Sequence, residues 1–451
     1  MIPANLNRIM PAEECSEHPN GSPGSFAGRN RPRLNLFVRA LPAVPALLFA
    51  GAAHAWDPFD DAESPSHFEL VDGDLKLALK GELSLTFHDL EGEGGPGKDS
   101  NTDTRTIGTR SPYIELSGFT LAPRLTLTPG LSVNTQLRFT PDDAQVAATW
   151  FDGRAQTGDF EHHVELGFRP PLANRDPHAT REPLAATAWW SAPEMHAAYE
   201  AGQKFGADDD FAWSAGVSAA MGRPLGFAPV QASHAQRGTI NLLAYDAGRV
   251  YSGNAPMYGA RARFQACGAY VEAFGFLGEL ADESGTDQLR ASLAGYPSLP
   301  DGEQSNHTSR WGGGRVGYDG HGAHVVVEGV YGAEGALRRY AADAELAWRF
   351  DLHDGDWFTA VEPIVRADVY RILDSTLVHG GQALRSPALS QAATWDWTIY
   401  TAGVAVPVFR DLLRLRLEYD VVTEANDVPA LNESGLDFRN DEFRAELRLR
   451  F

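Results

Sequence analysis

The stretch LKLALKGELSLTFH, Leu75 to His88, alternates with a period of two. Leu75, Leu77, Leu79, Leu83, Leu85 and Phe87 fall on one side, and Lys76, Lys80, Glu82, Ser84, Thr86 and His88 on the other. Successive side chains of a strand point to opposite faces of a sheet, so this segment is a strand with one greasy and one polar face. The pattern recurs. MYGARARFQ sets Tyr258, Ala260, Ala262 and Phe264 against Arg261, Arg263 and Gln265. AELAWRF sets Leu346, Trp348 and Phe350 against Glu345 and Arg349, and LLRLRLEY sets Leu413, Leu415, Leu417 and Tyr419 against Arg414, Arg416 and Glu418. The last strand, FRAELRLRF, sets Phe443, Ala445, Leu447, Leu449 and Phe451 against Arg444, Glu446, Arg448 and Arg450. No long stretch of helical period competes, and the chain reads as all-β.

Strands are predicted near 74–88, 112–127, 131–140, 144–152, 159–168, 184–191, 195–204, 210–221, 238–246, 256–266, 267–279, 310–319, 321–332, 338–351, 357–372, 394–409, 411–424 and 438–451. Their length, about ten residues or more, exceeds the ~5–6 usual in soluble proteins and suits a tilted bilayer crossing. The links between them sort by parity. The odd-numbered ones include 89–111, 169–183, 280–309, 373–393 and 425–437. The even-numbered ones are mostly tight, as at Thr128-Pro129-Gly130, Ala192-Pro193-Glu194, Asp319-Gly320 and Arg410, with 222–237 the exception. A soluble sandwich has no reason to sort its loops this way. The expectation is a single antiparallel transmembrane β-barrel of about eighteen strands, sixteen being the alternative count, with long extracellular loops and short periplasmic turns. Trp150, Trp189, Trp190, Trp311, Trp348, Trp357, Trp395 and Trp397 lie near predicted strand ends, where indoles favour a membrane interface.

Ahead of the barrel, Arg29, Arg31, Arg33 and Arg39 precede the apolar run Ala40–Ala53, and Ala53-His54-Ala55 forms a small-residue cleavage site. The run is shorter than the ~20 residues of a spanning helix. Residues 1–55 are therefore expected to be an N-terminal extension with a secretory signal peptide, 56–73 a short periplasmic segment, and 74–451 the barrel. Of the two cysteines, Cys15 precedes the cleavage site, so Cys267 has no partner for an internal disulfide. A formal net charge of −22 argues against nucleic acid, whose phosphates need clustered cations.

Chemistry-bearing motifs are scarce. Gly312 to Gly317, GGGRVG, matches a dinucleotide-loop spacing, but Val316 and Tyr318 continue a strand and no helix follows. His162 and His163 are adjacent on a strand and point to opposite faces, so they cannot share one metal ion. No H-E-x-x-H, G-x-S-x-G or C-x-x-C-H is present. No metal, cofactor or enzymatic activity is expected. The polar strand faces carry Arg138, Arg261, Arg263, Arg366, Arg414, Arg416, Glu418, Arg444, Glu446 and Arg448, which would line a wet lumen. Two readings stand for them: an ion-pair lattice that stiffens the wall, and a guanidinium ladder that attracts anions. In the loop 169–183, Arg169, Arg175 and Arg181 outnumber Asp176 and Glu182, and its prolines stiffen it. That loop is expected to form the constriction.

FRAELRLRF, ending on an aromatic, resembles the terminal strand of Gram-negative outer-membrane proteins. The resemblance implies an outer-membrane location, contact with lipid and lipopolysaccharide, and recognition by the barrel assembly machinery. The segment Gly167-Phe168-Arg169-Pro170-Pro171-Leu172 is similar to a segment of phosphate-selective porin O/P-like proteins. With only Lys76, Lys80, Lys98 and Lys204 after the leader, that likeness bears on architecture more than on phosphate selectivity. It implies a passive channel for small hydrophilic solutes or anions, and trimers are common among porins, so a homotrimer is compatible with it. The alternative is a barrel plugged by loop 280–309 and serving as a binding scaffold or adhesin. The acidic loops Glu91–Thr104 and Asp282–Gln288 could bridge lipopolysaccharide through divalent ions, or simply be solvated.

Overall fold

The computed structural model describes residues 68–72, 75–90, 112–139, 144–171, 178–190, 193–206, 211–222, 225–229, 241–245, 256–279, 308–334, 337–352, 357–373, 378–379, 382–383, 396–409, 412–425 and 441–451. All belong to one compact unit, Leu48–Phe451.

Sixteen long strands form the wall. They are β1 (Leu75–Leu90), β2 (Tyr113–Thr128), β3 (Leu131–Phe139), β4 (Ala144–Thr157), β5 (Phe160–Arg169), β6 (Glu194–Phe205), β7 (Phe211–Met221) and β8 (Pro256–Ala266), followed by β9 (Ala269–Glu279), β10 (Thr308–Gly320), β11 (Ala323–Glu334), β12 (Leu337–Trp348), β13 (Ala360–Ile372), β14 (Asp396–Val408), β15 (Leu413–Ala425) and β16 (Glu442–Arg450). Each pairs antiparallel with its neighbour in the chain. β16 returns to β1, from Glu82↔Arg450 to Leu90↔Glu442, and closes the ring. Where β16 ends, the short strand Phe68–Asp72 takes over the edge of β1, pairing Phe68 with Leu79 and Asp72 with Leu75. Between the two, Gly81 and Phe451 exchange backbone hydrogen bonds of 2.6 and 2.9 Å.

Two of the eighteen expected strands are not part of the wall. Segment 184–191 contains a short helix, α1 (Leu184–Trp189), and segment 238–246 contains Asn241–Tyr245, which pairs with Leu225–Pro229 in a separate two-stranded sheet. Both segments are apolar and short, and a short apolar run has no period that separates strand from buried helix. Removing them also removes the parity exception. The six longest links, 91–112, 170–193, 222–255, 280–307, 373–395 and 426–441, are now all odd-numbered. On the other rim, Cys267-Gly268 (φ 47° and 82°) and His321-Gly322 (φ 51° and 78°) make two-residue turns with both central residues left-handed. That geometry matches strand twist, and glycine makes its second position free of strain.

Burial is inverted relative to a soluble protein. Ser84, Thr86 and His88 are buried, while Val217, Val316 and Tyr400 stand more than half exposed around the outside. An apolar outer belt, a polar interior and no open edge define a transmembrane barrel of the Gram-negative outer membrane. Its interface aromatics are chiefly not the expected tryptophans. Trp150, Trp189, Trp190, Trp311 and Trp397 are buried within the barrel, and Trp395 lies outside the described residues. Period two alone assigns a residue to a face but not which face meets lipid, and these indoles share the inward face with charges. The short-turn rim instead carries stacked or tilted pairs, Phe205 with Phe211, Trp348 with Phe350, and Trp357 with Phe409.

The closure seam is testable. A Cβ at Gly81 would lie 2.3–2.9 Å from three atoms of the Phe451 ring, which also stacks on Phe119 at 6.1 Å. Gly81→Ala should lower the temperature at which the folded band converts to unfolded mobility on electrophoresis. Gly153→Ala, where a Cβ meets nothing nearer than 3.8 Å, should not. Equal behaviour of the two would show that the terminal ring does not hold the seam.

Candidate functional site in the barrel lumen

The third odd-numbered link, 170–193, enters the barrel. Pro170 and Pro171 turn the chain off β5; residues 172–177, which include Arg175 and Asp176, lie outside the described residues. From His178 the chain is held by carboxylates of the wall. His178 N–H donates to Glu345 Oε1 at 2.9 Å, and its Nδ1 lies 2.6 Å from Glu362 Oε1. Thr180 N–H donates to Glu418 Oε1 at 2.7 Å, and its hydroxyl donates to Glu446 Oε2 at 3.3 Å. Arg181 is buried, donating to Asp368 Oδ2 at 2.7 Å and lying 3.5 Å from Asp420 Oδ2. Leu184 N–H donates to Asp368 Oδ1 at 3.1 Å. These are irregular-backbone donors inside a membrane protein, and the wall acids supply the acceptors they need.

After Pro183, whose ring suits the start of a helix, the Ala-rich LAATAW forms α1. Its residues Leu184, Ala185, Ala186, Ala188 and Trp189 are buried against an apolar cluster that includes Phe274, Trp311, Tyr370 and Ile399. Trp189 Nε1 donates to Glu334 Oε1 at 3.1 Å, and the Arg339 guanidinium lies 4.4 Å over its ring. Tyr245, from the hairpin in link 222–255, joins the same knot: its hydroxyl is 2.6 Å from Ser309 Oγ and donates to Glu334 Oε1 at 3.3 Å. Gly332 makes room, since a Cβ there would sit 2.7 Å from Trp189 Nε1.

The wall arginines divide into two groups. Arg366, Arg416, Arg444 and Arg448, from β13, β15 and β16, are buried in an ion-pair lattice. Arg366 reaches Asp368 (2.9 Å) and Glu345 (3.3 Å), Arg416 and Arg448 reach Glu446 (3.5 and 2.9 Å), and Arg444 pairs with Asp420. Arg414 donates to Glu362 at 2.8 Å. Arg138 on β3 faces inward, with the Glu182 carboxylate as the opposite charge acting on it.

Arg261 and Arg263 belong to the second group. They line a cavity of about 1090 Å³ along β4 to β8, together with Arg154, Glu165, Arg169, Glu200 and Lys204. Its walls reach from Pro129, Gly130 and Gln265 at the short-turn rim to Arg169, Pro170 and Pro171, where the inward loop leaves β5. Arg261 lies 3.2 Å from Glu272, and Arg263 stacks 4.1 Å over Tyr270. Beside the cavity, ligand atoms of Asp152, His163 and Glu165 lie within 4.8 Å of one another. Arg154 (3.1 Å) and Arg169 already hold the two carboxylates, so the group is an ion-pair network on present contacts. His162 faces the other way and meets Tyr199 Oη at 2.8 Å. Asp368 falls on the polar face of its strand by the same parity that places Arg366 there, but the anchoring acids Glu334 and Asp420, and the knot at Trp189 and Tyr245, escaped the sequence reading; carrying the parity count two residues past Glu418 would have added Asp420.

Fold and lumen together define a large outer-membrane β-barrel with a loop folded into it. No family model and no curated protein sequence matches the chain. Among solved structures it is similar to the outer membrane channel DcaP of Acinetobacter baumannii, with a TM-score of 0.47 and 8% identity over 84% of this chain and 99% of that one. It is also similar to OmpT, an outer membrane protein of Vibrio cholerae (0.45, 12%, 85% and 99%), and to an anion-selective porin from Comamonas acidovorans (0.43, 9%, 84% and 100%). At these identities and scores, no property of those proteins transfers to this chain.

Replacing Arg181 tests the anchor. Because Arg366 and Arg444 remain beside Asp368 and Asp420, Arg181→Ala should cost ~1–3 kcal/mol, the range for a buried polar group stripped of a partner. Urea titration in lipid vesicles would measure it. Adding Asp368→Asn should recover part of the loss; no recovery would mean that the cost is lost packing rather than stranded charge.

Proposed function

We propose that the protein is a porin-like channel for passive diffusion of small hydrophilic solutes, with a preference for anions. The observation that carries this reading is the cavity along β4 to β8, wet in character and running most of the barrel's height. Its lining offers five cations (Arg154, Arg169, Lys204, Arg261, Arg263) against three carboxylates (Glu161, Glu165, Glu200) on a chain of net charge −22. Within a narrow passage a local excess is screened less than charge at the rim, so it can outweigh the distant total. The constriction in this reading is the loop 169–183, with Arg169 facing the cavity, Glu182 set against the inward Arg138, and Arg175 and Asp176 on the same loop. Arg181 serves there as an anchor, and Arg366, Arg414, Arg416, Glu418, Arg444, Glu446 and Arg448 form the rigid wall that holds the loop back. The likeness to porin O/P-like proteins is not needed for any of this, and no catalytic role is assigned.

A second reading is a plugged scaffold or adhesin barrel; the expected plug, loop 280–309, lies outside the described residues up to position 307, and the observation that favours the reading is instead the loop and hairpin knot buried against the wall beside β10 to β15. Planar bilayers separate the two. Stepwise conductance with a reversal potential of anionic sign in a salt gradient is expected, and folded protein that stays silent supports the plug. Arg154→Ala with Arg263→Ala, the more exposed cavity arginines at 47% and 30% of side-chain area, should reduce the anion preference severalfold. Arg366→Ala, walled in the lattice, should leave selectivity unchanged while weakening the fold.

A further inference from the structure

The lipid-facing surface carries a depression of about 640 Å³ on β8 to β11, with Tyr258, Leu277 and Tyr331 as its sides and Gly275 and Gly312 in its floor. The register explains it: Gly275 pairs with Gly312, which pairs with Tyr331, and one row further from the long-loop rim Gly314 pairs with Gly329. Two of these glycines are not required by the barrel. A Cβ on Gly329 would meet nothing within 4 Å, and one on Gly275 would meet only a carbonyl oxygen at 3.8 Å. Glycine weakens a strand and often marks close approach of something else.

The depression ends at a cation. Arg310, exposed on the outer face two residues into β10, lines it and pairs in register with Leu277 and Ala333. In the same row Ala333 pairs with Arg338, which is also exposed. Among the described residues Arg310 has no hydrogen-bond or ion-pair partner. Two arginines in one outward row, about 10 Å apart across two strand spacings, sit next to the long-loop rim. A guanidinium facing lipid is costly toward the midplane and nearly free at headgroup depth, where its natural partner is a phosphate.

We propose that this groove binds a phosphorylated acyl lipid of the outer leaflet, of the lipid A type, with an acyl chain on the glycine floor between Tyr258 and Tyr331 and a phosphate on Arg310 and Arg338. The site is independent of the channel reading. Native mass spectrometry of the full-length protein with diphosphoryl lipid A tests it. Arg310→Ala and Gly275→Leu should each reduce lipid retention at least tenfold while conductance and the folded band on electrophoresis stay unchanged. Should Gly275→Leu not fold, Gly329→Leu adds bulk one row further along the same outward face, next to Tyr331, where a Cβ meets nothing within 4 Å. Equal retention by the variants, or by lipid A with its phosphates removed, overturns the proposal. So does conversion of a trimer to monomers by the leucine variant with lipid retention intact, which would make a second copy of this chain the occupant.

Discussion

Lipid offers no hydrogen bonds, and nearly every feature of this protein follows from that. Each strand must find its partners in other strands, so the sheet closes, β16 onto β1, and the short strand at Phe68–Asp72 covers the stretch of β1 that β16 leaves bare. Closure then divides every strand into a face for lipid and a face for the lumen. The same alternation that would build a half-buried soluble strand here exposes its leucines and valines and buries its arginines and glutamates.

Burial of so many charges is affordable only because they are paired. Glu446 shows how: Ser84 donates to it at 2.6 Å, Arg448 lies 2.9 Å away and Arg416 3.5 Å. Removing charges from water costs several kcal/mol each, and the attraction between partners repays this only with good geometry and full hydrogen bonding. A lattice shared among β12 to β16 approaches that condition: Glu345, Asp368, Asp420 and Glu446 each serve more than one donor, while Arg366 Nη2, Arg416 Nε and Glu418 Oε2 have no hydrogen-bond partner among the described residues.

How much of this was legible in the sequence follows from where the information is local. Strand faces are local, so the inward side of Arg261, Arg366 and Glu446 could be read by counting in twos. Closure and link parity are nearly local, and they pointed to the barrel. The strand count went astray at LAATAWW and at Asn241–Tyr245, short and mostly apolar runs that carry no periodic signal to separate a wall strand from a buried helix or a separate hairpin. The two groups of arginine could not be separated, because Arg261 and Arg416 carry identical patterns; only the path of link 170–193 decides that one meets a cavity and the other an occupied wall. The inward glycines behave likewise: a Cβ on Gly317 would lie 2.3 Å from the Tyr270 ring and one on Gly332 2.7 Å from Trp189 Nε1, crowding that is invisible until the strands are in register.

The anchoring of the inward loop also limits how it can act. Backbone donors from His178, Ala179, Thr180 and Leu184 all go to carboxylates of β12, β13 and β15. Lifting the loop as a whole would strip those acids of the loop's donors and leave Asp368 and Asp420 without Arg181, while exposing Trp189 and Trp190 to a polar lumen. Several buried charge-assisted bonds broken together make a concerted opening expensive, as each leaves an unsatisfied group. The loop is therefore a fixed partition rather than a lid. In the channel reading, any change of bore must come from the stretch near Pro170 and Pro171, or from the cavity side chains, where Arg154 and Arg263 retain exposed surface.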